Sequence, residues 1–507
     1  MVNNTIILTL LIFLPIICGF IGCLYPKPFY KIGLGLIFIY ANLSFIGYLN
    51  GFEYTYKLIN NEGIPLSFDG YSLPLIFGSS MVLMITFILK NKSFSHYFYQ
   101  ICLVLFSALS ISFLLKDLVS LYIALELTGF CAFLLIADRN DNKSLFNAFQ
   151  YLIGGGLAML IYLIGVIQAF TFTGSFLLDD LISAPPTALC LISAGLLTKA
   201  GIFICGLWVP NVYSHANPQS SAILSGCVTC AAIAPLSRMG NITAPIGNSL
   251  IIIGILSSIF GAIFALIEND DGRTLGWSSV SQLGIAMLSP YYGCLYAMQH
   301  GICKAILFLT LHRSEKGTSI YETSLTKIEF NKHDLEEIIR IISFIVAALS
   351  ISGFPFLSGF ITKLLIKNDL PKEALLIFNT ASLLTAVVYV KLIFSRLSNI
   401  KIKFILYATL DYLKINFLKA FTKNNITLIF VIFSLFLFSF IQNQYFSLEK
   451  IQMSFITIIL GFVFYASFLG LKSESDLASI RKTIDIIGAP FVIAALLLAN
   501  LTFLKIL

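Results

Sequence analysis

Charged residues are scarce in this 507-residue chain, in which Asp, Glu, Lys and Arg together make up 11% and hydrophobic residues 58%. Soluble proteins carry about 25% charged residues, which cover their surface in water. The mean hydropathy is +0.91. So few charges do not cover a water-soluble body of this size, and the composition therefore indicates a membrane protein.

The chain also lacks the patterns of several functional classes. Its ten cysteines are scattered, and Cys227-x-x-Cys230 has no second ligand pair. We therefore predict buried thiols, with no metal or iron–sulfur site and no disulfide framework. There is no Gly-rich phosphate loop and no basic patch interleaved with aromatics. We accordingly expect no bound cofactor and no nucleic-acid partner. The N-terminal run lacks the positive segment of a signal peptide and is interpreted as a retained first helix.

Long apolar runs follow one another along the chain. A spanning helix needs about 20 mostly apolar residues, and these runs do not alternate as strands do. The sequence predicts an all-α polytopic membrane protein with about 14–16 transmembrane helices. Candidate spans lie near residues 4–24, 31–49, 73–90, 99–115, 118–137, 147–172, 187–208, 220–239, 246–267, 274–291, 295–311, 338–366, 374–395, 425–443, 451–471 and 483–504.

The loops between these spans predict an orientation. Lys and Arg concentrate in alternate loops, for example Lys27 and Lys31 after the first span, whereas Glu53 and Asp179 lie in the opposite loops. The positive-inside rule then puts the N-terminus outside the cytoplasm. Two segments are too polar to span. Residues 312–337 are predicted as an amphipathic connector and residues 400–424 as an interfacial helix.

Among the ionisable side chains inside the predicted spans, five stand out: Glu126, Lys199, His300, Lys304 and Lys363. Such a group costs a few kcal/mol in a bilayer unless it is paired or hydrated, so it marks a transport pathway by default. The alternative is a structural ion pair or a side chain that snorkels to the interface. A short carboxylate such as that of Glu126 does not reach the interface from mid-span. His300 and Lys304 are four residues apart, on one helical face.

Helix-breaking residues lie beside two of the lysines. They follow Lys199 and precede Lys363, which is the arrangement expected if the two segments are inverted copies of one repeat. Discontinuous helices at corresponding positions of two repeats indicate a transport site. The predicted breaks are at Gly201, Pro210, Gly353, Pro355 and Gly359.

Several blocks together resemble the antiporter-like family shared by Mrp-type cation/proton antiporters and the proton-pumping membrane subunits of respiratory complex I. LLTKAGIFICGLWVPNVYSHANPQSSAILSG is similar to the family's first broken helix, and SGFPFLSGFITKLLI to its second. QHGICKAILFL resembles its histidine-to-lysine helix, and DDGRTLGWSSVSQLGIAML and FQYLIGGGLAMLIYLIG resemble two further helices. The match runs from about residue 100 to residue 365.

The resemblance implies roles for the buried residues. Glu126 matches the family's essential glutamate, Lys199 its partner lysine, His300 and Lys304 its central relay, and Lys363 its exit-side group. It also implies two inverted five-helix repeats, at roughly 99–239 and 246–395, within a proton-translocation domain at 99–395. Residues 1–98 would form N-terminal helices, and residues 396–507 an interfacial segment with further helices.

Three functions remain open. The first is a membrane subunit of a multi-subunit Mrp-like antiporter for protons and monovalent cations. The second is a proton-pumping subunit of a complex I-like or hydrogenase-linked assembly, in which NADH:quinone oxidoreductase activity would belong to the whole complex. The third is a scaffold or coupling subunit of an ion or inorganic-carbon uptake system. All three imply other membrane subunits as partners in a lipid bilayer. We expect a bacterial plasma membrane, with an internal thylakoid-type membrane as the alternative.

Overall fold

The computed structural model describes residues 2–58, 63–89, 97–138, 141–311, 332–398 and 446–469. Within these ranges the chain is helical apart from a short hairpin and connecting loops. The spans predicted near 425–443 and 483–504, the interfacial helix predicted at 400–424 and most of the connector predicted at 312–337 lie outside the described residues.

The N-terminal part contains four helices and a hairpin. The helices are α1 (Val2–Leu24), α2 (Pro26–Leu49), α3 (Ser72–Ile88) and α4 (Phe98–Leu114). Between α2 and α3, β1 (Tyr54–Lys57) pairs antiparallel with β2 (Pro65–Phe68), and Tyr54 lies opposite Phe68. The sequence prediction did not cover this loop, because only the long apolar runs were tested for alternation. The hairpin lies between two helices, where two four-residue segments pair with each other.

The next part contains the helix that carries Glu126 and the first broken helix. It comprises α5 (Leu118–Ile136), α6 (Asn142–Thr173), α7 (Pro186–Ala200), α8 (Val209–His215), α9 (Pro218–Ile223) and α10 (Ile233–Ile242). Asp117 caps the start of α5, where its carboxylate accepts a 2.6 Å hydrogen bond from the Ser120 amide. A π-helical turn and a 3₁₀ turn join α9 to α10 without a gap.

The remaining part contains the second broken helix. It comprises α11 (Ala244–Ile267), α12 (Asp271–Met287), α13 (Gly293–Thr310), α14 (Lys332–Ser352), α15 (Ser358–Asp369), α16 (Lys372–Ser398) and α17 (Leu448–Leu469). Helix α17, the last one in the described residues, packs against α16 and against the α14–α15 break, where the Ser454 hydroxyl donates a 2.6 Å hydrogen bond to the Gly353 carbonyl.

The helices have the length and composition of membrane spans. In the described ranges, seven helices are long and apolar enough to cross a bilayer, and further apolar helices of 10–17 residues accompany them. On α6, Ile153, Leu160, Ile164 and Ile167 are each more than half exposed. Such a surface is unfavourable in water and suited to hydrocarbon. The chain is therefore an all-α polytopic membrane protein, as predicted.

The two helices predicted to be discontinuous are broken. Helix α7 ends at Gly201, which has a left-handed φ of 67°, and Pro210 lies in the first turn of α8. Helix α14 ends at Gly353, with a φ of 91°, and Pro355 lies in the gap before α15. Positive φ favours glycine, and proline cannot continue a helix, so both breaks follow from local backbone preferences. At Gly359, a Cβ would lie 1.8 Å from the Ser350 carbonyl oxygen, so only glycine fits this close approach.

Candidate functional site

Two helices bring the predicted glutamate and its lysine together. Glu126 lies on α5 and Lys199 in the last turn of α7, and the Lys199 Nζ is 3.7 Å from the Glu126 Oε1. The lysine side chain is 6% exposed, whereas the glutamate side chain is 35% exposed. At an effective dielectric constant of about 20, this separation corresponds to an attraction of roughly 4 kcal/mol between full charges, an upper figure because the carboxylate is partly exposed.

Glycines make room for the Lys199 amine. A Cβ at Gly129, one turn after Glu126 on α5, would lie 2.7 Å from the Lys199 Nζ. At Gly155 on α6 the corresponding distance is 3.4 Å. The two glycines therefore form a notch in which the amine lies, and we call it the glycine notch. The Trp208 indole, just before α8, donates a 3.2 Å hydrogen bond to the Thr198 carbonyl, which links the start of α8 to the end of α7.

Lys304 is buried, and no carboxylate in the described part of the chain pairs with it. It is fully buried on α13, and its amine donates a 2.7 Å hydrogen bond to the Leu275 carbonyl and a second one to the Ser278 hydroxyl on α12. The Tyr389 ring lies 5.7 Å from the amine, within the range of a cation–π contact. The ammonium is thus held by a carbonyl, a hydroxyl and a ring face.

His300 lies one turn before Lys304 and is also fully buried. Among the described residues, neither ring nitrogen has a hydrogen-bond partner. Buried polar groups in native proteins are nearly always hydrogen-bonded, so an imidazole without a partner calls for a functional explanation. Both nitrogens are therefore free to exchange hydrogen bonds with a mobile group.

Lys363 lies on α15 just after the second break. Its amine is 3.2 Å from the Thr385 hydroxyl oxygen on α16 and 3.4 Å from the Ser352 carbonyl oxygen. It lines a cavity of about 590 Å³ bounded by residues of α15, α16 and α17, to which Glu449 and Ser454 contribute. A Cβ at Gly353 would lie 3.3 Å from the Lys363 Cδ. In the described part of the chain, neither Lys304 nor Lys363 forms an ion pair.

Every candidate site residue lies in one segment that matches a known protein family. Residues 116–389 match the family described as "NADH:quinone oxidoreductase/Mrp antiporter, TM". The chain belongs to this family. The resemblance inferred from sequence blocks is thereby confirmed, and the matched segment contains Glu126, Lys199, His300, Lys304 and Lys363.

Relatives come from both branches of the NADH:quinone oxidoreductase/Mrp antiporter family. NADH-quinone oxidoreductase subunit N of Desulforudis audaxviator is 29% identical over 306 residues, 55% of this chain and 60% of that protein. A Staphylococcus epidermidis protein named as an antiporter subunit is 26% identical over 361 residues, 61% of this chain and 43% of that protein. The chain spans about half the length of the curated relatives it matches.

Solved structures share the fold. A chain of the Mrp complex from Dietzia sp. superposes with a TM-score of 0.67 at 18% identity, covering 78% of this chain and 80% of that chain. A chain of respiratory complex I from Thermus thermophilus gives 0.65 at 18% identity, covering 85% and 96%. The fold of this family member is therefore that of membrane subunits found in multi-subunit assemblies.

Sequence analysis missed a buried ion pair near the end of α10. Arg238 is 4% exposed, and its Nη2 lies 2.9 Å from the Asp69 Oδ1 in the loop before α3. Burial raises the pKa of the Asp69 carboxyl, but the Arg238 guanidinium and hydrogen bonds from Ser67 and Ser72 outweigh burial, so the pKa is lower than usual. The partners are 169 residues apart. An arginine within the apolar run IAPLSRMGNI was the one available signal.

A second missed cluster lies between α11 and α12. Glu268 is 5% exposed and accepts a 2.9 Å hydrogen bond from Arg273 and a 3.2 Å one from the Trp277 indole. The Lys391 amine on α16 donates to carbonyls at the end of α11, those of Ala265 and Leu266 at 2.9 and 3.1 Å. Glu268 and Arg273 lie at helix ends, and together with Lys391 they hold α11, α12 and α16 together.

Proposed function

We propose that the chain is an integral membrane subunit of a multi-subunit monovalent cation/proton antiporter. Protons would move along Glu126, Lys199, His300, Lys304 and Lys363, within a translocation domain at residues 99–395. The observation that carries this proposal is the burial of three lysines inside the helical bundle, of which Lys199 alone has a carboxylate within 4 Å among the described residues. Buried charges without a permanent partner are costly, and they persist mainly where function requires them.

The Glu126–Lys199 pair supplies the switch that such a path needs. While the pair is formed, the carboxylate favours the protonated amine. When the pair opens, the amine loses that attraction and its proton becomes easier to release toward the interior. Lys304 is the next buried lysine of the proposed path, and among the described residues a carbonyl, a hydroxyl and a ring face hold it. In this scheme the Glu126–Lys199 pair opens first, Lys199 then releases its proton, and the charge finally moves toward Lys363.

A second membrane subunit is inferred next to α5. The Glu126 side chain is 35% exposed although it lies within a span, and its neighbour Ile123 is 62% exposed. A carboxylate facing hydrocarbon is expensive, whereas the same group at a subunit interface can be hydrated or paired. We accordingly place the chain in a complex, in a bacterial cell membrane, with protons and a monovalent cation as its substrates.

A second candidate function is proton pumping in a complex I-like assembly. The similarity to NADH-quinone oxidoreductase subunit N, 29% over 306 residues, favours it. In that case the same five residues would carry protons, and the redox chemistry would belong to other subunits.

The test uses inverted membrane vesicles that contain the whole complex. A pH gradient is established, and Na⁺ or K⁺ is then added to wild type, Glu126→Gln and Lys199→Ala. Lys116→Ala is the matched control, because Lys116 pairs with Asp179 at 3.4 Å at the exposed end of α5. We expect wild type and the control to dissipate the gradient and both pair variants to fail.

The outcomes separate the candidates. If wild type ignores both cations but acidifies the vesicles when NADH or another electron donor is supplied, the pump replaces the antiporter. If neither cations nor electron donors move protons, both proposals fail.

A further inference from the structure

Hydroxyl groups connect helix α16 to two buried lysines, directly to Lys363 and by way of Ser278 on α12 to Lys304. The Lys363 amine lies 3.2 Å from the Thr385 hydroxyl oxygen. The Thr385 hydroxyl donates its own proton to the Ser382 carbonyl at 2.7 Å, so its lone pairs are directed at the lysine. Thr385 is 1% exposed, so solvent competes little with its hydrogen bond to Lys363.

The second contact runs through Ser278. The Lys304 amine donates to the Ser278 hydroxyl oxygen, and the Tyr389 hydroxyl lies 3.2 Å from that same oxygen. The Ser278 hydroxyl can donate to the Leu275 carbonyl at 3.1 Å, which leaves its oxygen to accept from both Lys304 and Tyr389. Tyr389 is fully buried. It therefore fixes the orientation of the hydroxyl on which the Lys304 ammonium lies.

Thr385 and Tyr389 are four residues apart on α16. Residues at this spacing lie on the same helical face, about 6 Å apart along the axis. Two lysines that belong to separate helices, α13 and α15, thus meet adjacent turns of a third helix. No ion pair holds either amine among the described residues, so hydroxyl and carbonyl oxygens decide where each charge lies.

We propose that Thr385 and Tyr389 are positioning residues, which hold the ammonium groups of Lys363 and Lys304 at adjacent turns of α16 and so set the step between the last two lysines of the path. This inference rests on the proposed function. It assigns a role to a helix that supplies no ionisable group to the proposed path.

The test compares hydroxyl deletions in the intact complex. Tyr389→Phe removes the hydroxyl and keeps the ring over Lys304, and Thr385→Val removes the hydroxyl at nearly constant volume. Rates of proton movement are normalised to assembled complex, so that poor assembly is not counted as slow transport. Losing a hydrogen bond to a charged group should slow transport about tenfold in Thr385→Val, and losing the bond to the neutral Ser278 hydroxyl should slow it about fivefold in Tyr389→Phe. Thr385→Ser, which keeps the hydroxyl, should restore at least half of the wild-type rate.

Two controls make the result specific. Thr171→Val removes an exposed hydroxyl on α6 that donates to its own helix backbone at Gln168, away from the Lys363 cavity, so its rate should equal that of wild type. Lys304→Ala and Lys363→Ala should abolish transport. If these alanine variants transport normally, the proposed function fails. If they are inactive while Tyr389→Phe and Thr385→Val match wild type, or if Thr385→Ser is as slow as Thr385→Val, the positioning inference alone is overturned.

Discussion

Replacing Gly129 with alanine should displace the Lys199 amine from Glu126. The new Cβ would lie 2.7 Å from the Lys199 Nζ, and non-bonded atoms need about 3.5 Å, so the amine must move by about 0.8 Å. Because Gly129 and Glu126 are on the same face of α5, this movement carries the amine away from the carboxylate. Lengthening the 3.7 Å separation by that amount weakens the attraction by about 0.8 kcal/mol at an effective dielectric constant near 20. The corresponding change in the pair's equilibrium is about fourfold.

Gly155→Ala and Gly156→Ala should displace the Lys199 amine progressively less than Gly129→Ala does. The Cβ at Gly155 would lie 3.4 Å from the Lys199 Nζ, close to ordinary contact, and a Cβ at Gly156 would meet nothing within 4 Å. Alanine is favoured over glycine in a helix by about 1 kcal/mol, so none of the three changes should unfold its helix. Cation-driven proton movement in vesicles should therefore change about fourfold in Gly129→Ala, less in Gly155→Ala, and not at all in Gly156→Ala.

The order of the three effects is the critical result. If Gly129→Ala transports at the wild-type rate, then the position of the amine does not control the path, and the 3.7 Å pair is structural. If Gly156→Ala slows transport as much as Gly129→Ala, the effect comes from α6 or its lipid contacts and not from the glycine notch.

Three further predictions concern stability in detergent, measured by thermal unfolding. Asp69→Asn should destabilise by about 3–5 kcal/mol because it leaves the buried Arg238 guanidinium unpaired, whereas Asp179→Asn, whose carboxylate is 59% exposed, should change stability by less than about 1 kcal/mol. The pKa of Asp69 is lowered, so its contribution should be complete above about pH 4 and should disappear as the carboxyl protonates in stronger acid; loss already near neutral pH would contradict this sign. Gly353→Ala should cost about 1–3 kcal/mol because the φ of 91° disfavours a side chain, whereas Gly70→Ala, with nothing within 4 Å of its Cβ, should be nearly neutral.

Local composition predicted the helices and their breaks. Each span is a run of apolar side chains, which is enough to predict a helix in hydrocarbon. Each break is predicted by a glycine that can adopt a positive φ or by a proline, as at Gly201 and Pro355. Bounds shifted by a few residues, for example from 374–395 to Lys372–Ser398, because helix ends depend on capping rather than on hydropathy. The β1–β2 hairpin was missed because two four-residue strands carry too little pattern.

The partners of the buried charges could not be predicted from composition. That Glu126 lies beside Lys199 followed from resemblance to the family, and the structure gives the 3.7 Å separation. That Lys304 contacts a carbonyl and a hydroxyl of α12, and that Thr385 contacts Lys363, depends on packing between helices distant in sequence. Hydroxyls are common in helices, so Thr385 and Tyr389 carry no distinguishing local signal.

The two broken helices give their lysines a common environment in opposite chain order. Lys199 belongs to the last turn of α7, just before its break. Lys363 follows its break in sequence, yet its amine lies 3.4 Å from the carbonyl of Ser352, the last residue of α14. Both lysines are thus at the carboxyl end of a half-helix, where the helix dipole favours a cation by about 0.3–2 kcal/mol. An inverted repeat would place one lysine before its break and the other after it, while keeping this electrostatic environment. The two breaks can therefore hold a mobile positive charge at both ends of the proposed path, although no carboxylate in the described residues pairs with Lys363.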